Sequence, residues 1–249
     1  MCDFLNFSDF DSDLACERHR ANASLPGVDY RKEITAGGVW ERISITSEDG
    51  ARSIGRPCGQ YNTLTLDRID LLDATGLADA TEEIAKELCL LTDGVGVTPE
   101  KLLIVGLGNR ELTPDSVGPK SASKVNATLH IKEADEVCFS ALECSAISVI
   151  CPGVSSESGM DAAKTTAAVC RSLHPDAVIA IDALSARSPA RLGRTIQLSD
   201  TGIFPGSGIG NPRGAITKET VGAPVIAIGV PTVIDARRLS GERYDMSGE

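Results

Sequence analysis

The chain has 249 residues, a formal net charge of −11 and a pI near 4.8, with 42% hydrophobic and 24% charged residues. This acidity excludes an electrostatic nucleic-acid binder, because neutralising phosphates requires clustered Lys and Arg. We therefore expect no nucleic acid among its partners. No apolar stretch reaches the length of a membrane span, so we expect no membrane among them either. The first residues lack a basic n-region, so we expect no secretory signal and a cytoplasmic location.

Taken in chain order, the sequence predicts an α/β fold. Residues 1–13 are acidic and aromatic without a clear period, and we interpret them as a loose arm before a single domain, residues 14–249. Two alternating strands indicate a small antiparallel N-terminal subsheet or edge. The later alternation of strands and helices predicts a mainly parallel, twisted sheet flanked by helices. The predicted elements are strands 39–46 and 61–66, helix 79–92, strand 102–107, a helix from 114 or 115 to about 129, strand 146–151, helix 161–173, and strands 177–181, 194–198 and 224–230.

The cysteines and histidines give no sign of a metal site. Eight cysteines are scattered without a C-x-x-C pair, which favours reduced, mostly buried thiols over a disulfide framework. None of the three histidines stands in ligand spacing to a cysteine pair. We therefore predict no metal and no cofactor.

Two predicted strands each run into an aspartate. Strand 102–107 continues through a glycine turn to Asp115, and strand 177–181 is followed directly by Asp182. Ligands of open α/β sheets bind at the carboxyl ends of the strands, so two carboxylates there would form an acid/base pair. Each also has a simpler interpretation, Asp115 as a helix-start residue and Asp182 as a cap or turn residue for the segment that follows.

The glycine turn itself could cradle a phosphate and would then indicate a nucleotide-binding oxidoreductase. Gly106 and Gly108 fit that pattern, but its third glycine falls at Glu111, whose carboxylate would repel a pyrophosphate. The pattern therefore disfavours this function.

A loop rich in glycine and proline follows Asp200. Loops of this composition expose backbone N–H groups and let a substrate chain approach closely. We predict that Asp200, Gly206, Ser207 and Gly208 bind substrate. The alternative interpretation is a flexible surface loop.

Five segments in chain order together resemble the germination protease (spore protease) family of spore-forming bacteria, and a sixth extends the match. They are Ser-Asp-Leu-Ala-Cys-Glu at 12–17, Val-Gly-Leu-Gly-Asn…Thr-Pro-Asp-Ser-Val-Gly-Pro at 105–119, Cys-Pro-Gly-Val at 151–154, Ala-Ile-Asp-Ala-Leu-Ser-Ala-Arg at 180–187, Gln-Leu-Ser-Asp-Thr-Gly-Ile-Phe-Pro-Gly-Ser-Gly-Ile-Gly-Asn at 197–211, and Ile-Ala-Ile-Gly-Val-Pro-Thr-Val-Ile-Asp-Ala at 226–236.

The resemblance implies an endopeptidase that initiates degradation of small acid-soluble spore proteins during germination, in the forespore or spore core. It implies a fold like that of the hydrogenase maturation proteases (phosphorylase/hydrolase-like) and aspartic-type catalysis by the motif aspartates, Asp115 and Asp182. It also implies a zymogen that removes its own N-terminal segment. Residues 12–17 resemble the acidic–apolar–small–x–Glu cleavage pattern of the substrates, so we predict processing between Asp13 and Leu14.

Two departures from the family pattern leave alternatives open. Phe204 stands where the family loop is expected to carry a histidine. Members of the family typically form homotetramers and continue well beyond segment 226–236, whereas this sequence stops at Glu249, so the oligomeric state stays open. The alternatives to the protease are a non-catalytic homologue that binds proteins and a metal-dependent homologue, since the maturation proteases bind metal through two carboxylates and a histidine.

Overall fold

One sheet organises the part of the chain that the structure, a computed structural model, describes: residues 12–19, 25–66, 72–204 and 214–234. Within these residues the sheet has eight strands in the order β1-β2-β3-β7-β8-β6-β4-β5. The strands are β1 (Val28–Thr35), β2 (Gly38–Ile45), β3 (Gly59–Thr65), β4 (Lys101–Gly106), β5 (Ala146–Ile150), β6 (Ala177–Ala186), β7 (Thr195–Ser199) and β8 (Val225–Ile234).

The predicted α/β class is confirmed, and the sheet is mixed. Strands β8, β6, β4 and β5 pair in parallel, whereas β1, β2, β3 and β7 pair antiparallel, as do β7 and β8. The antiparallel N-terminal strands are therefore continuous with the parallel half through β7. Strand β1 was not predicted, because most of its side chains are exposed and leave no apolar period.

Helices flank the sheet. In the described residues they are α1 (Ala15–Arg18), α2 (Glu48–Ile54), α3 (Ala74–Gly94), α4 (Val117–Ala122), α5 (Leu129–Ala134), α6 (Glu136–Ser140), α7 (Ser155–Ser158), α8 (Ala162–Leu173) and α9 (Lys218–Val221). Short 3₁₀ helices lie at Thr113–Asp115 and Pro189–Arg191. Among these elements no helix is long and apolar enough to cross a membrane.

The predicted helix from 114 or 115 to about 129 is wrong as a single element. It is divided into the 3₁₀ helix Thr113–Asp115, helix α4 and the start of α5. Thr128 explains part of the division, because it bonds to β5 instead of continuing a helix. Its N–H donates to the Ile147 carbonyl at 2.9 Å, and its Oγ1 accepts the Ile147 N–H at 2.9 Å.

The predicted strand 177–181 is longer than expected. Strand β6 runs from Ala177 to Ala186 and stays paired with β8 beyond Asp182, with a register shift between Leu184 and Ser185. Its side chains alternate between two cores. Ala180 and Leu184 face the core that contains α8 and residues 14–16, and Ile181 faces the core beneath α4.

The prediction that most thiols are buried is wrong. Seven cysteines lie in the described residues, all of them free, and only Cys16 and Cys170 are buried. The others are on loops or on the outer sides of helices, where a small side chain needs no core contact.

Candidate functional site

The first candidate residue, Asp182, lies within β6 at the position aligned with Gly229 of β8. Strand alternation puts its side chain on the face that carries Ala180 and Leu184. The residue is 5% exposed, and its Oδ1 accepts the Ala183 N–H at 2.8 Å. The interpretation of Asp182 as a cap or turn residue is wrong, because the strand continues beyond it.

The second candidate residue, Asp115, is half-buried at the end of the 3₁₀ helix that follows β4. Its Oδ2 accepts the Asn109 N–H at 2.8 Å. Gly108 has φ +107, and a Cβ there would lie 2.1 Å from the Asp115 carbonyl oxygen and 2.7 Å from its Oδ1. Thr232 Oγ1 donates to the Pro114 carbonyl at 2.5 Å and ties the helix to β8. The loop therefore holds Asp115 through backbone contacts that require glycine at 108.

The 3₁₀ helix that ends on Asp115 contacts β6 and β8 near the point where β4 ends. The Leu107 N–H donates to the Ile181 carbonyl at 2.8 Å, so β4 and β6 are still bonded immediately before Asp182. Gly118 lets α4 pack against these strands, since a Cβ there would lie 2.2 Å from the Leu107 carbonyl oxygen and 2.4 Å from that of Ile181. This close packing sets the start of α4 on the face of β6 that carries Ile181, and the 3₁₀ helix with Asp115 lies beside the same strand.

Asp13, at the predicted processing site, is buried beside β6. Its N–H donates to the Ser185 carbonyl at 2.9 Å, and its own carbonyl accepts from Gln197 Nε2 at 3.2 Å. Its Oδ2 accepts the Ser185 N–H at 2.9 Å, and its Oδ1 lies 3.0 Å from Arg56 Nη2. Leu14, on the other side of the predicted cleavage point, is fully buried. The contacts that bury Asp13 and Leu14 must therefore break before water can reach the Asp13–Leu14 peptide bond.

The following residues are held just as closely. The Ala15 N–H donates to Gln197 Oε1 at 2.8 Å. Glu17 accepts the backbone N–H groups of Arg187 at 2.6 Å and Ser188 at 2.8 Å. Residues 12–17 thus form a peptide bound by its own domain along the second half of β6 and the facing part of β7.

The predicted substrate-binding loop is described only in part. Asp200 is half-buried, and its Oδ1 accepts the Gln60 N–H at 2.8 Å, which joins the loop to β3. Burial raises the pKa of the Asp200 carboxyl, against the lowering effect of the hydrogen bond from Gln60. Gly206, Ser207 and Gly208 lie outside the described residues. Their predicted role in substrate binding stays a prediction.

Phe204 stands at the position where the resemblance leads one to expect a histidine. Phe204 is half-buried and lines the same pocket as Gly229 and Asp13, and phenylalanine cannot ligate a metal. Within the described residues no group of three or more His, Cys, Asp and Glu could hold a metal ion.

Sequence reasoning missed the residues that hold Asp13, namely Arg56, Ser185 and Gln197. Each comes from a different element, so no local spacing connects them. The sequence marks them only weakly. Arg56 is a lone arginine in a turn, and Ser185 and Gln197 are polar residues within strands β6 and β7. Only the fold brings these side chains together.

Three comparisons with known proteins bear on this site. The family model described as germination protease matches residues 10–246. A germination protease of Caldanaerobacter subterraneus subsp. tengcongensis is 40% identical over 229 residues, or 90% of this chain and 69% of the relative. That of Clostridium perfringens is 35% identical over 94% of this chain and 73% of the relative. That of Bacillus thuringiensis subsp. konkukian is 41% identical over 92% of this chain and 62% of the relative.

A hydrogenase maturation protease of Thermococcus kodakarensis, HycI, has 19% identity to the chain, over 63% of this chain and 94% of the other, with a TM-score of 0.31. That superposition is too poor to place site residues. The fold and the family match define a peptidase of the α/β class. The chain belongs to the germination protease family, and it spans about two thirds of the length of the curated relatives named above.

Proposed function

We propose that the chain is an endopeptidase that initiates the degradation of small acid-soluble spore proteins during germination. It is made as a precursor that processes itself between Asp13 and Leu14. The proposal is supported by a self-bound acidic–apolar–small segment that lies along β6, the strand that carries Asp182, and by the contact of the 3₁₀ helix that ends on Asp115 with the same strand. The family match supports the peptidase class.

In the proposed mechanism the two aspartates act as one acid/base pair. The mechanism requires one of the two carboxyl groups to be charged and the other to be protonated. The charged carboxylate takes a proton from water, whose oxygen then attacks the scissile carbonyl carbon. The protonated carboxyl polarises that carbonyl and later gives its proton to the leaving amine.

The N-terminal segment supports the proposed self-processing. It carries an acid at Asp13, a fully buried Leu14 and a buried Ala15, and its second acid, Glu17, is held by two backbone N–H groups. A peptide held in this way along β6, the strand that carries Asp182, is what a precursor that masks its own site would have.

Incubation with a small acid-soluble spore protein and mass mapping of the products tests the proposal. We expect internal cleavage that persists after thorough chelation. Loss of cleavage after chelation would favour the metal-dependent alternative. Binding of the spore protein without any cleavage, by chain that has lost residues 1–13, would favour the non-catalytic homologue.

A further inference from the structure

Asp13 lines a pocket that lies beside strand β6, which carries Asp182. Leu184 and Gly229 line this pocket, and Gly229 is the register partner of Asp182. With Asp13 in place, the cavity is about 30 Å³, which is room for a few water molecules. Asp13 takes the donors of Arg56 and Ser185 that a second acidic side chain would need.

The pocket is built to hold a carboxylate. Arg56 Nη2 donates to Asp13 Oδ1 at 3.0 Å, with side chains only 13% and 10% exposed. Ser185 donates to the other oxygen, Oδ2, through its N–H at 2.9 Å and its Oγ at 3.0 Å. Charge-assisted donors that converge on both oxygens are the arrangement by which proteins select a carboxylate.

The guanidinium of Arg56 retains donor capacity. Its Nε is buried and has no hydrogen-bond partner among the described residues. A buried cation also requires a counter-charge, because an uncompensated charge in a desolvated site is costly. If Asp13 departs, Arg56 and Ser185 are left as a buried site that favours another carboxylate.

We propose that Arg56 and Ser185 form the subsite that binds an acidic side chain of the peptide substrate beside Asp182. Asp13 occupies this subsite in the precursor and so blocks it. The inference rests on the proposed function and adds the residues that determine specificity. Hydrolysis of the Asp13–Leu14 bond frees Asp13 to leave the pocket, while Leu14 and Ala15 stay buried in the core.

Carboxylate binding can be tested without any cleavage, in the full chain carrying Asp13→Ala. This variant removes the carboxylate group beside Arg56, and the vacated space together with the adjoining cavity of about 30 Å³ can take an acetate ion. At acetate about five times above its Kd, we expect the Tm to rise by roughly 2–4 °C, because a ligand that binds the folded state stabilises it. Wild-type chain should show no such rise, since Asp13 occupies the pocket. Acetamide, and NaCl at equal ionic strength, are the matched control solutes and should leave the Tm of the variant unchanged.

Removing the proposed donors should abolish this rescue. In the Asp13→Ala background we expect Arg56→Gln to lose the acetate response, Ser185→Ala to weaken it, and Arg56→Lys to retain part of it. The lysine and alanine variants keep the test decisive if Arg56→Gln does not fold. An acetate response equal in all variants, or absent in Asp13→Ala, would overturn the subsite.

Cleavage then tests whether the subsite selects substrate. We compare two peptides that copy residues 12–17, one with Asp and one with Asn at the position of Asp13. Processed wild-type chain should prefer the Asp peptide by about 10-fold or more in kcat/KM, through KM, and Arg56→Gln should lose that preference. Equal preference in the two proteins would overturn the selective role. Intact acetate rescue without cleavage of any peptide would contradict the proposed protease function and leave the carboxylate site standing.

Discussion

Gly108 and Asp115 are in such close contact that no side chain fits at position 108. A Cβ there would lie 2.1 Å from the Asp115 carbonyl oxygen, and the backbone at Gly108 has φ +107. The loop after β4 can therefore pack against Asp115 only with glycine at position 108. The contact links the glycine turn of the sequence directly to a candidate catalytic carboxylate.

Replacement of Gly108 by alanine should displace Asp115 and destabilise the chain. We expect a loss of about 2 kcal/mol or more in the free energy of unfolding, from backbone strain and the steric clash. Cleavage should fall further than the loss of folded protein explains. Urea unfolding and the initial rate per folded molecule measure the two effects.

Gly94→Ala is the matched control. It lies at the end of α3, and a Cβ there would have nothing within 4 Å. We expect a change of no more than about 1 kcal/mol, in the stabilising direction. Similar behaviour of the two glycine variants would show that Gly108 does not position Asp115.

The ion pair between Asp13 and Arg56 should stabilise the precursor. Because both side chains are nearly buried, Asp13→Asn leaves the guanidinium without its counter-charge, and we expect a loss of about 2–4 kcal/mol. The control is Asp49→Asn, which removes an ion pair with Arg52 whose side chains are 71% and 77% exposed. That change should cost no more than about 1 kcal/mol. Equal losses in urea unfolding would argue that the Asp13 contacts are not structural.

Acid incubation should release the N-terminal segment. Acid reduces the excess of negative charge in a chain with 35 Asp and Glu against 24 Lys and Arg, and so weakens the repulsion between the acidic segment and an acidic site. Intact-mass measurement should then show a chain that begins at Leu14, and the Asp182→Asn variant should remain full length. A full-length chain that cleaves added substrate would refute processing at this bond.

Asp200 should make the stability of the fold depend on pH in a defined direction. Burial raises its pKa above the ordinary value, so its contribution to stability is complete below about pH 4 and is lost as pH rises through the raised pKa. Asp200→Asn removes the buried charge, and the amide oxygen can still accept the Gln60 N–H.

We therefore expect Asp200→Asn to exceed wild type in stability above that pKa by up to about 1 kcal/mol, an amount limited by the partial exposure of the residue. Below about pH 4 the advantage should vanish. Thermal unfolding of both proteins from below pH 4 to neutral pH measures this difference in stability. If Asp200→Asn is instead less stable than wild type at neutral pH, and this deficit shrinks at acid pH, the carboxylate charge is stabilising.

Local signals predicted the parallel half of the fold. Strands β4 and β6 are continuous apolar runs between turn residues, and such runs are buried whatever surrounds them. The end of β6 was misjudged at Asp182, because its last residues are fixed by pairing with β8 and not by their own polarity. Pairing between distant segments is the information that a local pattern lacks.

The same limit applies to the candidate site. Asp115 and Asp182 could be predicted because each comes after an apolar run in the sequence. Arg56 could not, since it is separated from Asp13 by 43 positions and meets it only through the fold. The N-terminal segment was interpreted as a loose arm, yet its residues Ser12 and Asp13 are buried, because their partners come from β6 and from the turn before β3.

The cleavage rate of a small acid-soluble spore protein by Asp115→Asn and Asp182→Asn chains tests the central claim most directly. Each substitution keeps the size of the side chain and removes a proton-transferring carboxyl group. We expect each variant to lose roughly 10²–10⁴-fold in kcat, while Asp49→Asn stays at the wild-type rate. Near wild-type cleavage by either variant, with its stability unchanged, would contradict an aspartic pair in this protein.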